Sequence, residues 1–141
     1  MNDAHMILAL DVGERRIGVA IASLEARLPS PLLTIDRQKV GDVFVRIKEL
    51  IAEHKVRAVV VGLPRGMSGQ ETAQTTSARQ FASDLEAACG IEVSLQDEAA
   101  TSILAEDELK AHGKNYEKGD IDKLAASYIL QDWLDLSKEV A

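Results

Sequence analysis

"ILALDVGERRIGVAIAS", residues 7–23, sets an acid at the end of an almost wholly apolar run. Residues 6–12 read as a strand apolar on both faces, and therefore as a central strand of a sheet. The chain then turns through Gly13 and two arginines. In the run that follows, Ile17, Val19 and Ile21 point one way while Gly18, Ala20 and Ala22 point the other. Two such runs joined by a short glycine-containing loop predict a hairpin. An ionised carboxylate at the rim of a core is costly unless a positive group neutralises it. Asp11 is therefore either a turn residue that reaches water or the holder of a cation.

Working outward, "LLTID" (32–36) predicts a third strand after the turn at Pro29, Ser30 and Pro31. The period then changes: Val40, Val43, Phe44, Ile47, Leu50 and Ile51 follow helical spacing. "RAVVVG" (57–62) is a short β-branched strand, and Ala78, Phe81, Ala82, Leu85 and Ala88 form a second helical stripe closed by Gly90. "IEVSLQ" (91–96) is a fifth strand, and helices over about 101–112 and 121–136 complete the order β-β-β-α-β-α-β-α-α. The fold class is thus α/β, a mixed five-stranded sheet flanked by helices. Strands reached through helical crossovers lie parallel to the first. The ends of the strands near 12, 62 and 96 therefore emerge at one edge, where open α/β sheets place their sites.

The 141 residues make one domain, 1–141, with 46% hydrophobic and 28% charged residues, the balance of a globular chain. A single cysteine, Cys89, forms no internal disulfide and points to a reducing cytoplasm. No basic stretch precedes an apolar leader, and no run approaches the roughly 18 apolar residues of a membrane span. The net charge of −7 speaks against coating nucleic acid through a broad basic face. It leaves room for an enzyme whose positive charge is carried by metal ions. His5, His54 and His112 have no metal-ligand spacing, which argues against zinc.

Acids follow the strand ends. Asp11 closes the first, "GLPRGMSG" with Arg65 follows the fourth, and "DEAATS" with Asp97 and Glu98 follows the fifth. The last helix opens with "GDIDKLAAS". Asp122 shares a face there with Ala125, Ala126, Ile129 and Trp133, while Asp120 reads as the N-cap. Singly, each acid has an ordinary explanation as a turn residue or a helix-dipole partner, the latter worth about 0.3–1 kcal/mol. Jointly they gather at one sheet edge. Converging carboxylates repel unless divalent cations sit among them, and an all-oxygen site suits Mg²⁺ or Mn²⁺.

"ALDVGERRIGVAIAS", "VVVGLPRGMSGQE", "DEAATS" with Ala105 beyond it, and "IDKLAASYILQDWLD" occur in that order. Together they resemble the YqgF family, also called RuvX, of the RNase H-like superfamily, over nearly the whole chain. The family is described as a Holliday junction resolvase by similarity to RuvC, and as the nuclease that matures the 5′ end of 16S rRNA. The resemblance implies an RNase H-like fold and a two-metal hydrolysis of phosphodiester bonds that leaves 5′-phosphate and 3′-hydroxyl ends. Two Mg²⁺ or Mn²⁺ about 3.5–4 Å apart would share Asp11, with Glu98 and Asp122 on either side. Asp97, adjoining Glu98, faces the other way along the strand and is the alternative ligand. Arg15, Arg16, Arg65 and Lys123 are the candidate phosphate contacts.

This chain departs from the family at Ala99, where Arg is common, and at Ala100, with Thr101 and Ser102 after it. Its loop before the last helix, usually rich in Lys and Arg, offers Lys114 and Lys118 against Glu117 and Asp120. The first departure bears on the grip on substrate rather than on metal, and the second implies weaker or more selective nucleic-acid binding. The expected partner is nucleic acid: pre-16S rRNA, in or near pre-ribosomal particles, or branched DNA as the alternative. Resolving a four-way junction takes two coordinated cuts and hence a symmetric homodimer; the chain is expected as a monomer or a homodimer. A reading from another class is a non-catalytic RNA- or ribosome-binding domain. "DVGERRIGVA" also resembles the first phosphate loop of actin-like and sugar-kinase ATPases, which need two such domains around the nucleotide.

Overall fold

A computed structural model of the chain describes residues 5–98, 101–113 and 115–140. The elements are β1 (Met6–Val12), β2 (Arg16–Ser23), β3 (Ser30–Asp36), α1 (Val43–His54), β4 (Val56–Pro64), α2 (Ala73–Cys89), β5 (Glu92–Glu98), α3 (Thr101–Ala111) and α4 (Lys118–Val140). They form a five-stranded sheet in the order β3-β2-β1-β4-β5. β1–β2 and β2–β3 are antiparallel, whereas β4 and β5 join in parallel, as their helical crossovers require. β1 is central, which is why its run is apolar on both faces.

Alternation along the strands divides the core in two. Leu8, Leu10, Val59 and Val61 face α1 and α2, packing with Ile47, Leu50, Phe81 and Leu85. Ile7, Ala9, Ala20, Ala22 and Val60 face α4, packing with Ala126, Ile129, Leu130 and Leu134. Each fully buried Leu or Ile contributes about 1.5–3 kcal/mol of transfer free energy. The second face is built of small side chains, and this lets a helix backbone approach the sheet closely. α3 lies against α4, and the Tyr128 hydroxyl donates to Glu108 between them.

The element boundaries differ from the sequence reading for local reasons. α1 starts at Val43 rather than near Val40, because Gly41 takes a positive φ of 75° and Asp42 caps the helix, accepting from Phe44 N at 2.9 Å. β3 starts at Ser30. Pro31 is tolerated because β3 is an edge strand and the β2–β3 register shifts beside it. β4 and β5 both run two residues further, to Pro64 and Glu98. α2 begins in a reciprocal Thr72–Thr75 capping box and ends, as expected, at Gly90 with φ 63°. α4 starts at Lys118, three residues early, so Asp120 lies inside its first turn and is not the N-cap. Its carboxylate instead accepts from Glu117 N at 3.0 Å, a bond that holds its pKa below the ordinary value.

Candidate active site

The carboxyl ends of β1, β4 and β5 share one edge, and a cleft of about 560 Å³ opens there. Asp11, Glu98 and Asp122 line it, one each from β1, β5 and α4. Strand parity puts the first two on the same face. Asp11 follows Ile7 and Ala9 toward α4, and Glu98 pairs in register with Pro64, two residues beyond Gly62 and Gln96. Asp97 pairs with Leu63 and so faces the opposite layer, where Arg65 donates to it at 3.1 Å.

Two glycines make this arrangement possible. Gly18 stands opposite Asp11 in the β1–β2 ladder, and the backbone carbonyl of Asp122 lies directly over it. Any Cβ at position 18 would overlap that oxygen, so α4 reaches the sheet only because residue 18 is glycine. A Cβ at Gly62 would meet Glu98 Oε2 at 2.6 Å and Ile129 Cδ1 at 2.5 Å, so the Glu98 carboxylate overlies Gly62. Thr34 completes the frame: its hydroxyl donates to Gly119 O at 2.6 Å and ties the start of α4 to β3. Gly18 and Gly62 were legible as glycines inside strand patterns, whereas nothing in the sequence singled out Thr34.

The electrostatics follow from this crowding. Burial, with the nearby Asp122 charge adding to it, pushes the Asp11 carboxyl up to about 6. Asp122 is met from the side by Arg16, whose Nε donates to Oδ2 at 2.6 Å in a pair largely shielded from water. Among the described residues, no three His, Cys, Asp or Glu side chains stand close enough as they lie to hold one ion. The donor set nevertheless fits a divalent cation: carboxylate oxygens, two of them repelling, at the floor of an open cleft.

The candidate phosphate contacts fall differently. Arg65 lines the cleft but is neutralised by Asp97 and, at 3.8 Å, Glu71. Arg15 pairs with Asp36 at 3.6 Å and Lys123 with Asp120 at 3.4 Å; neither lines the cleft. Arg37, absent from the sequence-based candidates, does line it. Ala99, Ala100 and Lys114 lie outside the described residues, as do the side chains of Thr101 and Ser102. No described helix is long and apolar enough to cross a membrane.

Comparison with known proteins agrees with this architecture. The family described as "RuvX: Holliday junction resolvase" matches residues 5–136. A chain from Chloroflexus aggregans named "Putative pre-16S rRNA nuclease" is 46% identical over 137 residues, covering 96% of both chains. One of the same name from Crocosphaera subtropica is 39% identical over 130 residues, covering 91% of each. Among solved structures, Thermus thermophilus RuvC in complex with a Holliday junction substrate superposes with a TM-score of 0.60, at 16% identity, over 97% of this chain and 98% of that one.

Proposed function

The chain belongs to the RuvX family and has its RNase H-like fold, and on that premise we propose that it is a divalent-metal-dependent nuclease that trims the 5′ end of pre-16S rRNA. The observation that supports the reading is that Asp11, Glu98 and Asp122, from three separate elements, line one cleft at the sheet edge. Phosphodiester hydrolysis needs an activated water and a sink for charge on the leaving oxygen, and bound divalent ions supply both. Asp11, Glu98 and Asp122 would hold those ions.

The chain's own residues set the conditions. Asp11, at about 6, gives up its proton near neutral pH and becomes a full ligand. Gly62 leaves room for the Glu98 carboxylate, while Gly18 and Thr34 fix where α4 presents Asp122. The cytoplasm, where pre-ribosomal particles are processed, is the proposed setting, and a monomer suffices for trimming RNA. Resolution of branched DNA by a homodimer is the alternative within the family.

A second reading, a non-catalytic RNA-binding domain, is favoured by one observation: Arg16 already neutralises Asp122. One experiment separates the three. A labelled 16S precursor 5′ segment and a four-way DNA junction are incubated with wild type and Asp11→Asn, each in Mg²⁺, Mn²⁺ or chelator. Cutting of the RNA that needs metal and disappears in Asp11→Asn is the expected result. Preferential cutting of the junction selects the resolvase role. Binding without cutting selects the domain without catalysis.

A further inference from the structure

Among the described residues, the cations that line the cleft are Arg65 and Arg37. Arg65 is held by two carboxylates. Arg37 forms no ion pair with any described carboxylate; its Nη1 donates at 2.8 Å to the carbonyl of Gly13, a neutral partner. Its guanidinium also lies 5.6 Å over the ring of Phe81, which is itself locked in the core against Phe44. A third tie runs through the backbone, where Arg37 N donates to Arg15 O at 2.8 Å and carries the β2–β3 pairing past the end of β3. The side chain is thus held at two points with its charge uncompensated. It stands beside the turn that begins two residues after Asp11.

We propose that Arg37 grips a backbone phosphate of the polynucleotide and so sets the register of the strand against Asp11, Glu98 and Asp122. The proposal rests on the nuclease reading above. A guanidinium is always charged and presents five N–H donors in a planar fork that matches phosphate. Arg37 lines the cleft, and one bond to Gly13 with a stack on Phe81 leaves most of that fork without a described protein acceptor and little side-chain freedom to lose on binding. The acidic floor cannot attract a polyanion by itself. The wall bearing an unneutralised arginine can, and it accounts for binding by a chain whose other candidate cations are all engaged with carboxylates.

The test is binding of the labelled 16S precursor segment and of the four-way junction across a salt series, in Mg²⁺. The full-length Asp11→Asn chain serves as parent, so that nothing is cut. Adding Arg37→Gln should weaken RNA binding on the order of tenfold. It should also lower the slope of log affinity against log salt by about 0.7, the share of one phosphate contact on a single strand. Arg37→Lys should keep the slope and lose only part of the affinity, since the charge remains without the fork. A change in melting temperature with affinity and slope both unaltered would show that Arg37 merely ties the 13–15 turn to β3, and overturns the proposal alone. A parent that binds neither RNA nor junction overturns the nuclease reading, and this proposal with it.

Discussion

Asp11 is a carboxyl buried beside another carboxyl, and pH acts on it directly. In metal-free protein the folded group titrates at about 6, against an ordinary 3.8 in the unfolded chain. Between those values the unfolded chain has released a proton that the folded chain keeps. The contribution of Asp11 to stability therefore falls as pH rises from about 4 to about 6 and is constant on either side. Denaturant melts in chelator at pH 4, 5, 6 and 7 will show the decline, and Asp11→Asn will remove that component. Added Mg²⁺ will restore stability above pH 6, where the ionised carboxylate is available to it. Arg16 gives a companion case. Arg16→Met leaves Asp122 facing Asp11 without a cation and is expected to cost on the order of 1–3 kcal/mol in chelator. Saturating Mn²⁺ will recover part of that loss, read by the same melts; an arginine that served only solubility would leave the curve unchanged.

Among the elements, α4 carries the most consequence, because its docking and its acid depend on the same small face. Gly18→Ala drives a Cβ into the Asp122 carbonyl, a backbone atom that cannot swing aside. It should destabilise by more than about 3 kcal/mol or prevent folding. Gly62→Ala meets only the ends of Ile129 and Glu98. It should cost about 1–2 kcal/mol while displacing the Glu98 carboxylate, so cleavage will drop far more than the melting temperature does. Comparing the two variants by melting and by cleavage separates packing from placement. The sequence carried much of this. Continuous apolar runs, a 2-residue alternation and 3.6-residue stripes mark most of the elements in the sequence, and the crossover rule puts the acids at one edge. Element ends were less legible. α4 starts earlier than the spacing predicts because Asp120 accepts from Glu117 N from inside the first turn rather than from the N-cap. Arg37 stayed hidden for a different reason: what sets it apart is that it forms no ion pair with a described carboxylate, and sequence does not display a missing pairing.

For the molecule as a whole, a net charge of −7 sets the terms of any encounter with a polyanion. Removing divalent ions should weaken RNA binding as well as stop cleavage, by at least about tenfold, because the cleft floor then presents bare carboxylates. Binding isotherms in chelator and in Ca²⁺ or Mg²⁺ at equal ionic strength will measure this, and equal affinities would place the binding surface elsewhere. The layering of the two cores also gives the protein a history. α4 covers the face formed by Ile7, Ala9, Ala20, Ala22 and Val60, and it is the last described element in chain order. During translation the sheet can pair and close its α1–α2 side while that face stays bare. At about 5–20 residues per second, the ribosome needs a few seconds to pass from Glu98 to Asp122. Through that interval the nascent chain lacks its third acid and the helix that would seat it. On the proposed role of Asp122, the step that buries the second core is also the step that completes the site.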